Sequence, residues 1–98
     1  LGRDHLPRSF FATSDLMAMA TLRALANMRV SVPDEVAVIG LTDIEMSKYA
    51  NPPLTTIHIP SESMGEAAAQ ILLNRINGDD SLPCRIVFPC NYVIRESA

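Results

Sequence analysis

The sequence has no tryptophan, and only two histidines, two cysteines and four glycines in 98 residues; its eight basic residues are outnumbered by eleven acidic ones. Each shortage excludes a class of chemistry. Glycines at 2, 40, 65 and 78 cannot assemble a GxGxxG turn or a Walker loop, and no GxSxG elbow occurs, so nucleotide binding of those kinds and α/β-hydrolase chemistry have no support. His5 and His58 are remote in sequence from each other and from either cysteine, so the sequence shows no zinc set, no catalytic residues and no cofactor motif. Each histidine reads as a satisfied surface or core residue. Cys84 and Cys90 lie six positions apart around Pro89; in an extended stretch their Cα atoms are about 20 Å apart, too far for a disulfide. Buried, reduced, structural thiols are expected, as in a cytoplasmic protein. The net charge of -3, without a basic cluster, offers little to the phosphates of nucleic acid. No apolar run approaches the roughly 20 residues that span a bilayer, so no membrane partner is expected.

What is present is apolar: 48% of the residues, enough to build a core in a chain of this size. The length suggests one small domain or part of one. The opening LGRDHLPR has no initiator methionine and reads as the tail of one element entering a strand, so a fragment of a longer protein is expected.

Along the chain, residues 8–13 (RSFFAT) are β-prone and end where Ser14 offers an N-cap and Asp15 a carboxylate for a first helical turn. In the helix that follows, Leu16, Met19, Leu22, Leu25 and Met28 recur at helical spacing, and Met17, Ala18, Ala20, Ala24 and Ala26 make the other side apolar too. Such a helix is covered on more than one side. Residues 32–35 form a turn. Residues 36–41 (VAVIGL) are a continuous apolar run, which suggests a parallel strand buried on both faces. Residues 44–51 are mixed, Pro52 and Pro53 make a rigid connector, and residues 54–59 (LTTIHI) form a β-branched strand closed by Pro60. A second helix over 62–77 follows, capped by Ser61 or by a Ser63–Glu66 capping box, with Met64, Ala67, Ala68, Ile71, Leu72 and Ile76 on one stripe and Gly78 as its stop. Residues 85–88 and 91–95 read as two further strands.

The order β, α, β, loop, β, α, β, β argues for an α/β fold with a largely parallel sheet, in which ligands bind beyond the carboxyl ends of the strands. Two places qualify: Thr13-Ser14-Asp15 and Leu41-Thr42-Asp43. Ser14 and Thr42 carry hydroxyls that both donate and accept, as a polyol or sugar requires. Asp15 and Asp43 have local readings as well, the first complementing a helix dipole and the second capping a turn. The residues alone lead to a small-molecule-binding α/β module.

Four stretches together, FFATSDLMAMATLRAL, VPDEVAVIGLTDI, YANPPLTTIHIPSESMGEAA and the closing VIRES, resemble the C-terminal third of the sugar-responsive core of lactose-repressor-type (LacI/GalR) bacterial transcription regulators. The resemblance covers residues 9–97. It implies a periplasmic-binding-protein-like (type I) core of two α/β lobes with the effector held in the cleft. By that analogy residues 1–59 belong to the C-terminal lobe, residues 60–88 cross into the N-terminal lobe with the helix 62–77, and residues 89–98 return as a strand of the C-terminal lobe. Residues 57–60 would be one hinge crossover. Family ligand contacts carry over onto Ser14, Asp15 and Thr42, with Leu41 and Asp43 beside them, and Ser61 lies where some members place a ring against the ligand. Many members have an aromatic residue and an acid where this chain has Leu41 and Thr42; a single hydroxyl in place of a carboxylate weakens a sugar contact by roughly 1–3 kcal/mol unless compensated. The HIPSESMG wording leans toward the galactose and β-galactoside responsive branch.

The same resemblance implies a homodimer through the first helix and the segment before PPLTT, with Met19, Arg23, Tyr49, Ala50 and Asn51 at the interface, and operator DNA met by a helix-turn-helix that precedes this segment. A solute receptor for an uptake transporter shares the fold and is the alternative; PPLTT and RES favour the regulator. An enzyme is not expected, since no acid–base pair or nucleophile stands at a sensible place.

Overall fold

The computed structural model describes residues 5–98; the first four residues of the LGRDHLPR segment lie outside it. Strand β1 (Ser9–Phe11) leads into helix α1 (Asp15–Asn27), then come β2 (Ala37–Ile39), a 3-10 turn (Glu45–Tyr49), β3 (Thr56–His58), helix α2 (Ser61–Ile76) and β4 (Asn91–Val93). The chain divides into two compact units: one runs up to Ile59 and resumes at Asn91–Ala98, and the other is Pro60–Cys90.

In the first unit β1 and β2 pair in parallel, Ser9 opposite Ala37 and Phe11 opposite Ile39. On the other side of β2, parallel bridges join Ile39 to Thr55 and Thr42 to His58, through Gly40 N–H to Thr55 O and Thr42 N–H to Ile57 O, both 2.9 Å. β4 then runs antiparallel to β3, with His58 opposite Asn91. The result is an α/β sheet, parallel except at this edge.

Helix α1 begins where its sequence says it should. Ser14 is the N-cap, its hydroxyl accepting from Met17 N–H, and Asp15 is the acid of the first turn. The buried face is Ala18, Leu22 and Leu25, which join Ala12, Val30, Val36, Val38 and Leu54 in one core. Burial of each leucine contributes roughly 1.5–3 kcal/mol. The apolar stripe expected from Leu16 is rotated: Leu16 is 69% exposed, because Ala18, small enough for close approach, turns toward β2 and Gly40 instead. Met19 and Met28 pack only against the edge of the core.

Two polar features splice this core together. Ser97, fully buried, lies where β2 and β3 need a partner: its N–H bonds Pro53 O, its carbonyl accepts from Val38 N–H at 2.8 Å, and its hydroxyl donates to Val38 O at 2.6 Å while accepting from Thr55 N–H at 2.8 Å. Asp15 is the second. Its side chain reaches from the start of α1 to Ser47 Oγ (2.5 Å), Thr56 Oγ1 (2.6 Å) and the N–H of Ile44 (2.8 Å). Gly40 makes room for this carboxylate: a Cβ there would collide with Asp15 Oδ1 and stand 2.9 Å from Leu54 Cδ2.

In the second unit α2 starts at Ser61 with Pro60 as N-cap, the Pro60 carbonyl accepting from Met64 N–H at 3.0 Å. Ser63 and Glu66 therefore lie inside the helix and form no capping box. Gly78, at φ 100°, follows its C-terminal end. No residue of α2 is buried. The strand expected over residues 85–88 does not form, since the unit holds no other strand to pair with it among the described residues; Ile86 and Phe88 instead lie along Met64, Ala67, Ala68 and Ile71. Cys84 and Cys90 are free but exposed, against the expectation of burial, because this unit closes no core around them.

Replacing Ser97 with alanine should strand two buried backbone groups, the Val38 C=O and the Thr55 N–H, and lower stability by about 1–3 kcal/mol, read as a shift of the urea midpoint at constant slope; an unshifted midpoint would refute the splicing role. Asp15 gives a pH signature. Burial pushes its carboxyl up, but hydrogen bonds from Ser47, Thr56 and the N–H groups of Ile44 and Asp43 outweigh that and hold it below its ordinary 3.8. The unfolded chain then takes the proton first, so this stabilisation is complete above 3.8 and is lost as the pH falls through the lower folded value. The stability gap between the wild type and Asp15→Asn should be widest at neutral pH and narrow below 3.8; a gap independent of pH would contradict it.

Candidate functional site

The carboxyl ends of the paired strands β1 and β2 bring two hydroxyl residues into matching places. Phe11 and Ile39 are register partners, and Ser14 and Thr42 each stand three residues beyond them. Ser14 is half-buried; having accepted from Met17 N–H at 3.2 Å, it keeps its O–H to donate and a further lone pair to accept. It also sits at the positive end of α1, which favours an electron-rich ligand atom. Thr13, exposed beside it, turns its hydroxyl to Met17 Sδ at 3.6 Å.

Leu41, Thr42 and Asp43 are all half-buried. Thr42 has φ 122° and Asp43 φ 66°, a conformation that costs a β-branched residue of order 1–3 kcal/mol. The backbone is held there by Thr42 N–H to Ile57 O at 2.9 Å and by Ile59 N–H to Thr42 O at 3.4 Å. Asp43 is fastened at both oxygens: Arg95 Nη2 donates to Oδ1 at 2.9 Å and His58 Nδ1 lies 3.0 Å from Oδ2. It caps no turn. It is an ion-paired group whose lone pairs are largely taken by its own chain.

Asp15, which the sequence leaves between ligand contact and helix-end support, stands in the first turn of α1 as the second reading expects. It is 1% exposed, and both oxygens are engaged by interior donors. Its carboxylate braces the β2 loop and the 3-10 turn against α1 and presents no surface to a ligand. Ser61 is exposed at the first turn of α2, in the second unit. Among the described residues no cluster of His, Cys, Asp and Glu could hold a metal ion, and no helix is long and apolar enough to cross a membrane.

On the outer side of α1, Met19, Arg23, Ala50 and Asn51 line one open depression of about 240 Å³ with Leu22 and Ala26. Tyr49 is 69% exposed in the adjoining 3-10 turn, with Lys48 Nζ 5.8 Å from its ring centre. Four of the five expected interface residues thus share one surface.

Sequence reasoning did not single out Ser47, Thr56, Arg95 or Ser97 and took His58 as a bystander. The signal lay in the PPLTTI and VIRES runs, where Thr56, Arg95 and Ser97 are polar residues in otherwise strand-like stretches.

The whole chain, residues 1–98, matches the periplasmic binding protein-like domain. It is 36% identical to the HTH-type transcriptional repressor MelR of Bacillus subtilis, over 99% of this chain and 28% of that protein. It is 36% identical to the lactose operon repressor of Rhizobium radiobacter, over 94% of this chain and 80% of that sequence. Among solved structures, the transcriptional regulator CelR in complex with cellobiose superposes with a TM-score of 0.88 at 40% identity, over 93% of this chain and 28% of that one. The chain therefore spans little more than a quarter of the length of MelR and CelR. On these matches the chain belongs to the periplasmic-binding-protein-like domain family, within the LacI/GalR-type transcriptional regulators.

Proposed function

We propose that this chain is the effector-binding and dimerisation region of a LacI/GalR-type transcriptional regulator, with a sugar or related polyol as effector. The observation that supports the reading is that Ser14 and Thr42 each stand three residues beyond the register partners Phe11 and Ile39, at carboxyl strand ends where α/β sheets take ligands. The cellobiose bound to the similar regulator CelR supports a carbohydrate. Galactose or a β-galactoside is the specific effector favoured by the HIPSESMG wording. Leu41 and Asp43 would shape the pocket wall; Asp15 would act from within, by holding the two loops at one distance.

In this reading residues 1–59 with the returning residues 89–98 are the C-terminal lobe, and residues 60–88 are part of the N-terminal lobe. Effector binding shifts the population toward a closed arrangement and alters operator DNA binding by a helix-turn-helix elsewhere in the protein. Such a protein works in the cytoplasm. The alternative, a receptor for an uptake transporter, is less well supported, since the relatives named above are repressors and regulators. Those names also argue against an enzyme.

Thermal-shift titration of the full-length protein with glucose, galactose, cellobiose and sucrose should reveal a stabilising sugar. Thr42→Val, and Ser14→Gly, which spares most of the capping, should each weaken it up to about tenfold. Unchanged affinity in both variants would remove these hydroxyls from the contacts. The depression over α1 is the proposed dimer surface, with Met19, Arg23, Tyr49, Ala50 and Asn51 facing a second copy. Met19→Glu should give a folded monomer in analytical ultracentrifugation, and persistence of a dimer would sink this assignment.

A further inference from the structure

Asp43 joins three segments that are distant in sequence. Its Oδ1 receives Arg95 Nη2 at 2.9 Å and its Oδ2 meets His58 Nδ1 at 3.0 Å. Arg95 is itself doubly anchored, Nη1 donating to Leu54 O at 2.8 Å and its backbone N–H to Thr55 Oγ1 at 2.9 Å. The side chains of Asp43 and Arg95 are only 17% and 18% exposed, so the pair is screened less than a surface ion pair and its fork geometry is directional.

The position of this cluster matters more than its strength. Immediately before Asp43 stands Thr42, a β-branched residue at φ 122°, a conformation that persists only where surrounding contacts over-determine it. The two partners of Asp43 come from different segments, one in β3 and one just beyond β4. His58 ends β3, two residues before the second unit begins at Pro60, and it pairs with Asn91, the first residue of the first unit on the chain's return. Arg95 follows β4. One carboxylate thus grips both strands beside the two points where the chain leaves the first unit and re-enters it.

We infer that Asp43, clamped by Arg95 and His58, is a positioning residue: it holds Thr42 in its left-handed conformation and ties the ligand loop to the two strands that carry the chain into and out of the second unit. The ligand half of this inference rests on the effector-binding reading above. The conformational half does not, and the two separate experimentally.

Hydrogen–deuterium exchange on the full-length, sugar-free protein reads the clamp directly, because the N–H groups of Thr42 and Ile59 make the two bonds that hold the loop. Arg95→Ala and Asp43→Asn should raise exchange at Thr42 and Ile59 by about tenfold or more while α1 stays protected, with Arg95→Lys intermediate, since an ammonium keeps the charge and loses the fork. Unchanged exchange there, or an equal rise throughout α1, overturns the inference; the milder His58→Asn, which keeps an amide donor near the Nδ1 position, applies the same criterion if the others fail to fold. Titration with whichever of glucose, galactose, cellobiose or sucrose binds the wild type should then show about tenfold weaker binding in Arg95→Ala, although every hydroxyl of the site remains. Raised exchange with unchanged affinity overturns the link to the ligand. If none of the four sugars binds the wild type, the effector reading has failed, and the exchange pattern alone upholds or overturns the clamp.

Discussion

The first unit depends on a buried carboxylate with no cation beside it among the described residues. Removing an anion from water costs several kcal/mol unless its lone pairs are filled, and Asp15 fills them with two hydroxyls and backbone N–H groups from Ser47, Thr56, Ile44 and Asp43. These donors come from three parts of the chain. The start of α1, the loop after β2, the 3-10 turn and β3 are therefore held at one point, and none can move far without exposing or stranding the charge. Gly40 follows from the same constraint, because its missing side chain is the space the carboxylate occupies.

Two aspartates at similar places in the βα and ββ connections thus do different work, and their surroundings decide which. Asp15 faces inward and meets neutral donors, so it acts as a rigid brace. Asp43 is partly open and meets an arginine and a histidine, one just beyond the strand that returns from the second unit and one in the strand that leads to it. The first fixes the distance between the two strand-end loops; the second fixes the backbone angle of one of them. Ser14 and Thr42 are left as the half-buried hydroxyls between these supports, so their geometry is set without their own hydrogen-bonding capacity being exhausted.

The elements with strong local signals were legible in the sequence. Ser14 caps α1 as its residue type and spacing predict, Gly78 follows the end of α2, and Ala37–Ile39 within the apolar run at 36–41 form a parallel strand. What could not be read there was non-local. Nothing in the sequence near Asp15 says that Thr56, forty-one positions away, will donate to it, so a dipole or a ligand was the natural expectation for its charge. His58 was read as isolated because sequence distance hides the loop that brings Asp43 beside it. The strand expected at 85–88 failed for a related reason: β-propensity describes a segment that suits a sheet, and a sheet requires a partner.

The length of the chain also misleads when read as a single domain, and Ser97 shows why. Val38 is a central, fully buried strand residue, and its N–H and C=O are both satisfied by Ser97. Thr55 N–H depends on the same serine. Between Ile59 and Asn91 the chain builds a different unit, whose helix buries none of its residues and so draws little on packing within this chain, the main source of helix stability in proteins. The first unit consequently cannot satisfy its central strand until the chain has gone out through the second and come back. Closure of the core and passage through the second unit are then one event in the chain's connectivity, which makes the return segment Asn91–Ala98 part of the core rather than a tail.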